Sequence, residues 1–238
     1  MMQIRLQTRP AALFGAMLVI ALIALMPLRA AVAIAGLGYY GLSARSVDGP
    51  VWFGRLNQAR LGDIDLGDVR ARLSPIQLVV GRLRLDVAGP AGGGLRGAIG
   101  VTRHSVGLDD MTAAVPIGAV FAPLPITRLD LDDVSVRFED GACTRAEGRV
   151  KALIGGAIGG IALPQGMSGT VRCEGRDLLL PLASQAGSEH IDLRIKGDGR
   201  YQADFAIQSS DPAVIAPLTA AGFQSTPLGY TLSVEGRL

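Results

Sequence analysis

Hydrophobic and polar side chains alternate along several short stretches of the chain beyond residue 40. The alternation is clearest at residues 83–87, 134–138, 191–195 and 230–235. A period of two residues is the pattern of a β-sheet that buries one face and leaves the other in water. Turns with glycine and proline separate these stretches, and such short connections favour antiparallel neighbours. We therefore expect a mainly β protein built on an antiparallel sheet.

A short motif recurs within this pattern and shifts the alternation. Its form is L-x-D-[VM]-x-[AV]-x-[LVF], and its three copies occupy residues 66–73, 108–115 and 131–138. In each copy the apolar positions change phase at an aspartate, which is Asp68, Asp110 or Asp133. This change predicts a β-bulge, with the carboxylate accepting hydrogen bonds from nearby backbone N–H groups. The unequal spacing of the copies predicts one elongated, curved sheet of related hairpins rather than a regular solenoid.

Helical signals are few in this part of the chain. Residues 211–222 begin with Asp211 as an N-cap and Pro212 at the first helical position, and they end at a glycine. Pro217 limits this helix to a short or kinked one. Residues 116–123 are expected to form a second, single turn. The sheet is thus expected to carry one or two short helices.

One run near the N-terminus shows neither alternation nor charge. Nineteen uncharged residues run from Pro10 to Leu28. As a helix with about 1.5 Å per residue this run spans roughly 28 Å, close to the hydrocarbon thickness of a bilayer. We expect a short cytoplasmic end at residues 1–10, a single transmembrane anchor at 11–37 and one periplasmic β domain at 38–238.

Two other interpretations of the N-terminal run stay open at this point. Ala31-Val32-Ala33 has the form of a signal-peptidase site, although the hydrophobic segments of signal peptides are usually only about 7–15 residues long. A buried core helix is the third interpretation, because Arg29 interrupts an apolar stretch that otherwise continues to Leu37.

Charge and cysteine content narrow the class of protein. The 23 basic and 21 acidic residues give a net charge of +2, too weak a bias for a nucleic-acid-binding surface. Cys143 and Cys173 would pair in an exported compartment, and two buried free thiols are the alternative. Neither cysteine has the C-x-x-C spacing or the histidine partner of a redox or metal site.

No set of residues in the sequence has the pattern of an active site. The acidic pairs at 109–110 and 132–133 resemble catalytic or metal-binding carboxylates, but their place in the repeat favours a structural function. His104 and His190 lack acidic or cysteine partners at triad or ligand spacing. The glycine-rich segment 155–160 lacks the Lys-Ser/Thr of a phosphate loop. We expect no enzyme activity, no cofactor and no metal, and a function in binding or scaffolding.

Several short motifs together resemble protein N of the type II secretion system. They follow the N-terminal anchor and consist of G-x-V-W-x-G at 49–54, L-S-P at 73–75, and two cysteines in the contexts 141–143 and 172–175. The resemblance covers nearly the whole chain. It implies a single-pass inner-membrane protein with a β-rich C-terminal domain in the periplasm and without enzyme activity.

The resemblance also implies partners for the protein. As an accessory component of type II secretion, it would contact inner-membrane platform proteins and the outer-membrane secretin, and it would lie against membrane lipid. The repeat is also similar to the hairpins of AsmA-like proteins, whose curved sheets form apolar grooves for lipid. A lipid-binding groove protein of the cell envelope is therefore the alternative function.

The single tryptophan, Trp52, follows a Gly-Pro turn at the start of the first expected strand. Three roles are open for it: a buried packing residue, a contact with the membrane interface, or a partner-binding residue. The residues that we expect to have structural or partner-binding functions are Trp52, Asp68, Asp110 and Asp133.

Overall fold

The computed structural model describes residues 10–34, 42–61, 64–75, 77, 81–90, 94–117, 120–158, 161–162, 166–227 and 229–237. Its helices and strands, in chain order, are α1 (Pro10–Ala24), α2 (Leu28–Ile34), β1 (Leu42–Ser43), β2 (Ser46–Asp48), β3 (Gly54–Leu61), β4 (Ile64–Leu73), β5 (Leu83–Ala88), β6 (Arg96–Val101), β7 (Ser105–Pro116), β8 (Ile126–Glu139), β9 (Ala142–Ile154), β10 (Ala157–Ile158), β11 (Ile161–Ala162), β12 (Gly166–Thr170), β13 (Arg172–Glu174), β14 (Asp177–Ser184), β15 (Glu189–Ile195), β16 (Arg200–Ile207), α3 (Pro212–Ala220), β17 (Gln224–Thr226) and β18 (Gly229–Arg237). Residues 1–9 of the expected cytoplasmic end and residues 35–37 of the expected anchor lie outside this described part.

One antiparallel sheet contains sixteen of the strands in the described part of the chain. Its order is β1-β3-β4-β5-β6-β7-β8-β9-β12-β14-β15-β16-β18-β17, with β2 paired to β3 and β13 paired to β14. Strands β10 and β11 form a separate pair. Most neighbours in the sheet are also neighbours in sequence, because short turns connect antiparallel strands. The order ends at β1 and β17 without joining them, so the predicted antiparallel sheet is confirmed and is open.

Alternation along the strands separates an apolar face of the sheet from a polar face. Leu193 of β15 lies opposite Ala203 of β16 on the apolar face, and both side chains are buried. The next pair along the same strands, Arg194 and Gln202, lies on the polar face. The period of two in the sequence is therefore the pleat of this sheet.

The larger hydrophobic core lies on the apolar face of strands β8 to β18, where α3 covers it. Phe205 of β16 and Leu218 of α3 are both 0% exposed. The rings of Phe205 and Phe223 meet edge to face, with their centroids 5.7 Å apart. Aromatic pairs of this geometry add to the stabilisation from burial.

The segment between β7 and β8 covers another part of the same core. The ring of Phe121 packs edge-on against Tyr201 of β16, with 4.9 Å between the ring centroids. The Tyr201 hydroxyl donates a hydrogen bond to the carbonyl oxygen of Val120 at 2.6 Å, and burial raises the pKa of Tyr201. Residues 120–123 form a turn, where the sequence predicts a single helical turn within 116–123.

The helix predicted at residues 211–222 is confirmed as α3. The Asp211 side chain accepts a hydrogen bond from the backbone N–H of Ala213 at 2.9 Å, and Pro212 stands at the first helical position. Such a cap satisfies a donor that has no partner within the helix. Pro217 lies inside α3, which is only nine residues long.

A smaller core lies on the apolar face of β3 and β4, close to the N-terminal helices. Its buried members include Leu28 of α2, Val51 of the following turn, and Leu56 and Val69 of the sheet. A Cβ atom added at Gly54 would lie 2.2 Å from a terminal methyl carbon of Leu28. The glycine at the start of β3 therefore makes room for the N-terminal segment.

The single helix expected over the anchor is interrupted. α1 ends at Ala24 and α2 begins at Leu28. Pro27 lacks a backbone N–H and disfavours a helical conformation at the residue before it. It forms an isolated antiparallel bridge with Pro50, and the N–H of Leu28 donates to the carbonyl oxygen of Gly49 at 3.0 Å. None of the helices in the described part combines the length and the apolar character that a bilayer crossing requires.

Candidate functional site

A disulfide joins Cys143 of β9 to Cys173 of β13, so the expected pairing is confirmed and the alternative of two free thiols is wrong. β13 is three residues long and pairs with β14 alone among the described strands. The disulfide therefore ties this short strand to β9. The N–H of Cys143 also donates to the carbonyl oxygen of Arg176 at 2.8 Å, just beyond β13.

Asp110 and Asp133 lie at β-bulges in the neighbouring strands β7 and β8. Both have a left-handed backbone, with φ of 50° and 54°, which aspartate adopts more readily than most residues. The register shifts around them, and Met111 pairs with Val134 between the two bulges. The N–H of Asp110 donates to the hydroxyl of Ser135 at 2.9 Å, and that hydroxyl donates to Asp110 Oδ1 at 3.2 Å.

Asp68 stabilises a bulge on the strand opposite its own. Gln58 of β3 has a φ of 49°, and its N–H donates to Asp68 Oδ1 at 2.9 Å, where the β3–β4 register shifts.

The N–H of Asp133 donates to the hydroxyl of Thr112 at 3.4 Å. Register shifts thus accompany all three copies of the motif. The expected bond from a backbone N–H to the carboxylate is present at Asp68, whereas the Asp110 carboxylate accepts from a serine hydroxyl.

The other aspartates of the acidic pairs lie on the polar face and form ion pairs with arginines. Arg84 Nη1 is 3.0 Å from Asp109 Oδ2, and Arg149 Nη2 is 3.2 Å from Asp132 Oδ2. Exposed pairs of this kind contribute at most about 1 kcal/mol each. The sequence alone does not predict these contacts, because they depend on which strands lie side by side and in which register.

Arg194 on β15 shows the same arrangement in the C-terminal half of the polar face. Its guanidinium nitrogens lie 3.1 Å from Asp204 Oδ2 and 3.4 Å from Glu174 Oε2. His104 is exposed and lies 3.3 Å from Asp140 at a turn. In the described ranges no three or more His, Cys, Asp or Glu side chains are grouped so that they could hold a metal ion.

Trp52 lies in the turn before β3, half-buried against the smaller core. Its neighbour Phe53 is 66% exposed, and the guanidinium carbon of Arg72 lies 5.3 Å from the centroid of its ring. Val51, on the other side of Trp52, is buried. The expected functional residue of this turn was Trp52, but Phe53 is the more exposed of the two aromatic residues.

The edge of the sheet at β18 is open over most of its length. β17 pairs with β18 only as far as Thr231, whereas β16 pairs with β18 up to its last residue, Arg237. The hydroxyl of Thr226 in β17 donates to the carbonyl oxygen of Gly229, which therefore points to the β17 side. Because the direction of these groups alternates along a strand, the backbone N–H and C=O of Ser233 and Glu235 point to that side as well. Beyond Thr231 no described strand pairs with β18 on this side.

A search of curated proteins and a search of solved structures returned no significant match. A comparison with protein-family models matched residues 40–233 to the family described as Type II secretion system (T2SS), protein N. The matched range includes the Trp52 turn, the three copies of the L-x-D motif, the disulfide and most of β18. A match over most of the chain shows that this protein belongs to the protein N family of the type II secretion system.

Proposed function

We propose that the protein is a non-enzymatic accessory component of type II secretion that links the inner-membrane platform to the outer-membrane secretin. Family membership supports a function in this secretion system. The observation that carries the linking function is the open edge of β18, with the backbone groups of Ser233 and Glu235 directed outward. An extended segment of a partner can add to such an edge as a further strand, because the exposed N–H and C=O groups supply its hydrogen bonds.

Replacing Glu235 by proline tests this edge. The substitution removes one outward N–H and introduces a ring that blocks strand addition, whereas an edge strand of the free protein tolerates proline. We expect the recovery of secretin and platform proteins with the tagged full chain to fall about tenfold. The reason is that the loss of one or two hydrogen bonds weakens binding by about this factor. The measurement is quantitative co-purification from cells that make the complete machine.

Glu235→Ala is the matched control, because it removes the same side chain but keeps the backbone N–H. It should recover the partners at the level of the unchanged protein. Thermal unfolding of both variants should be equal. Full recovery of both partners with Glu235→Pro would show that they do not bind at this edge.

We further propose that α1 anchors the protein in the inner membrane and that the β domain lies in the periplasm. α1 carries no charged residue, and its large side chains are exposed at Leu13, Phe14, Met17, Leu18, Ile20 and Leu22. An apolar surface of this kind needs an apolar environment. The disulfide supports the periplasm, which is an oxidising compartment.

The packing of Leu28 supports an anchor that is kept rather than cleaved. Leu28 is buried in the smaller core, and Pro27 bridges to Pro50. Cleavage near Ala33 would remove both contacts and leave unfilled the space that Leu28 occupies beside Gly54. The N-terminal segment therefore belongs to the packed domain as well as to the proposed anchor.

A fusion experiment tests the proposed topology. A phosphatase that folds only in the periplasm, joined after Leu238, is expected to be active, because the β domain would carry it across the membrane. A reporter that is active only in the cytoplasm, joined at the same residue, is the control and should be inactive. Activity of the cytoplasmic reporter alone would contradict the proposed localisation.

A lipid-binding groove is the second candidate, and one observation favours it. Leu83, Val101 and Val106 lie opposite one another on the apolar face of β5, β6 and β7, and all three are exposed. They form an apolar strip at the ends of these strands, between the two cores. Mass spectrometry of the same co-purified sample distinguishes the candidates, since stoichiometric lipid without machine components would favour the groove.

A further inference from the structure

Three arginines lie close together on the polar face of β3 and β4. Arg55 lies directly opposite Arg70, and Arg72 follows two residues along the same face. All three are exposed, and in the described part none of them forms an ion pair. Like charges directly opposite each other destabilise a sheet. The arrangement therefore costs stability in the free protein, and a bound anion would reverse that cost.

Two acidic side chains lie in register with this cluster, and in the described part neither forms an ion pair with it. Asp48 of β2 lies opposite Arg55, and its Oδ2 accepts hydrogen bonds from Ser46 and Asn57. Asp86 of β5 lies opposite Arg72, but its Oδ1 is 3.1 Å from Nε of Arg84 and so pairs with that arginine. A surface depression of about 520 Å³ lies at β3, β4 and β5, and its lining includes Arg55, Arg70 and Asp86. The depression thus has room for an anionic group and a net positive charge around it.

Phe53 gives the rim of this depression an apolar element. Its ring is 66% exposed and stacks near the Arg72 guanidinium, 5.3 Å from the ring centroid. An arginine held by a ring face keeps its N–H donors free for an anion, and an exposed aromatic ring suits the boundary between water and lipid. We call Phe53, Arg55, Arg70 and Arg72 the helix-exit surface.

The position of this surface follows from backbone hydrogen bonds. The N–H of Phe53 donates to the carbonyl oxygen of Pro50 at 3.0 Å, and Pro50 forms the bridge with Pro27. The N–H of Val51 donates to the carbonyl oxygen of Met26 at 2.9 Å, two residues after the end of α1. The helix-exit surface therefore begins within a few residues of the apolar helix.

We propose that the helix-exit surface binds the phosphate of an acidic phospholipid headgroup in the membrane that surrounds α1. Arginine guanidinium groups bind phosphate through two parallel hydrogen bonds, and Arg55 and Arg70 present two such groups side by side. The Phe53 ring lies at the level of the headgroups. This inference rests on the proposed membrane anchoring, and it assigns the domain a fixed contact with the membrane surface.

The single tryptophan provides the measurement, because Trp52 is next to Phe53. The full chain in neutral dodecyl maltoside micelles would be titrated with dihexanoyl phosphatidylglycerol while the tryptophan fluorescence is recorded. We expect a saturable change with phosphatidylglycerol and none with dihexanoyl phosphatidylcholine. Inorganic phosphate at the same concentration should have no effect, because a headgroup held in a micelle is also positioned by its acyl chains.

The double substitution Arg55→Gln/Arg70→Gln tests the residues. Loss of two arginine contacts should weaken binding of phosphatidylglycerol roughly 30-fold. The melting temperature should stay equal or rise, because the like-charged pair is removed, whereas a merely structural function would lower it. The control is Arg103→Gln/Arg237→Gln, which changes the net charge by the same amount at exposed positions elsewhere. This variant should bind phosphatidylglycerol as tightly as the unchanged protein.

Three results would overturn the proposal. An equal response to phosphatidylcholine would show a detergent-like effect, and a saturable response to inorganic phosphate alone would identify a free-anion site. Unchanged lipid binding by Arg55→Gln/Arg70→Gln, with loss of a co-purified secretion protein, would assign the surface to an acidic protein partner. The titration contains no partner protein. A negative result would therefore contradict lipid binding at the helix-exit surface without bearing on partner binding at β18, which co-purification tests.

Discussion

Replacing Phe205 by alanine is expected to lower the free energy of unfolding by about 3–5 kcal/mol. Phe205 is 0% exposed, and its register partners Ile191 and Leu232 lie on either side of it on the apolar face. Its ring also packs edge to face on Phe223. Truncation would remove the buried ring and leave a cavity between β16 and the end of α3, which the surrounding sheet cannot close without losing strand pairs.

Urea unfolding of the full chain in neutral detergent, followed by circular dichroism of the sheet, measures this change. Phe53→Ala is the matched control, because it removes the same side chain from a position that is 66% exposed. We expect its effect to stay below about 1 kcal/mol. Equal effects of the two substitutions would contradict the assignment of the larger core.

The sheet and α3 could be predicted from sequence because their signals are local. Alternation over five residues indicates a strand whatever its position in the sheet. Asp211 and Pro212 mark the start of a helix through contacts within one helical turn. The interruption of the N-terminal helix is different. Pro27 indicates a break, but the bridge to Pro50 and the burial of Leu28 depend on contacts with the sheet. A hydropathy pattern contains no information about such contacts.

The L-x-D motif shows where the limit of local information lies. The phase change at the aspartate indicates a bulge, and the register shifts in each copy. The bonding partner of each aspartate is set by the neighbouring strand, which places Gln58 beside Asp68 and Ser135 beside Asp110. The same reason explains why the ion pairs of Arg84 were not predicted.

The turn at residues 51–53 shows that a local sequence pattern also cannot predict a binding surface that is formed by several strands. Trp52 is the single tryptophan of the chain and is a predicted structural or partner-binding residue, and it lies half-buried against the smaller core. The exposed ring belongs to Phe53, and its significance depends on Arg55 and Arg70, which meet across two strands. A cluster of arginines separated by fifteen residues has no local motif.

The two proposed contacts lie at different parts of the sheet and serve different attachments. The helix-exit surface lies at β3 and β4, next to α1, and the open edge lies at β18. Twelve strands of the sheet order run from β3 to β18, so a membrane contact and a partner contact occupy separate surfaces. A linking protein needs this separation, because both attachments must be made at once.

Replacing Cys143 and Cys173 together by alanine is expected to lower the free energy of unfolding by about 3.5 kcal/mol. The disulfide closes a loop with a sequence separation of 30, and the chain-entropy model gives about this value for a loop of that length. β13 would keep its pairing with β14 but lose its covalent attachment to β9. We therefore expect β13 to exchange amide hydrogens faster than β14 in the variant.

Urea unfolding of the double variant and of the unchanged protein, each with and without reductant, separates the disulfide from the packing of the sulfur atoms. Reductant should destabilise only the unchanged protein, and should bring it close to the variant. The unchanged protein extracted from cells should also migrate faster on a non-reducing gel than on a reducing one, because a closed loop makes the denatured chain more compact. Identical migration with two alkylatable thiols would contradict both the bond in cells and the oxidising compartment, and the linking function would then need a different location for the β domain.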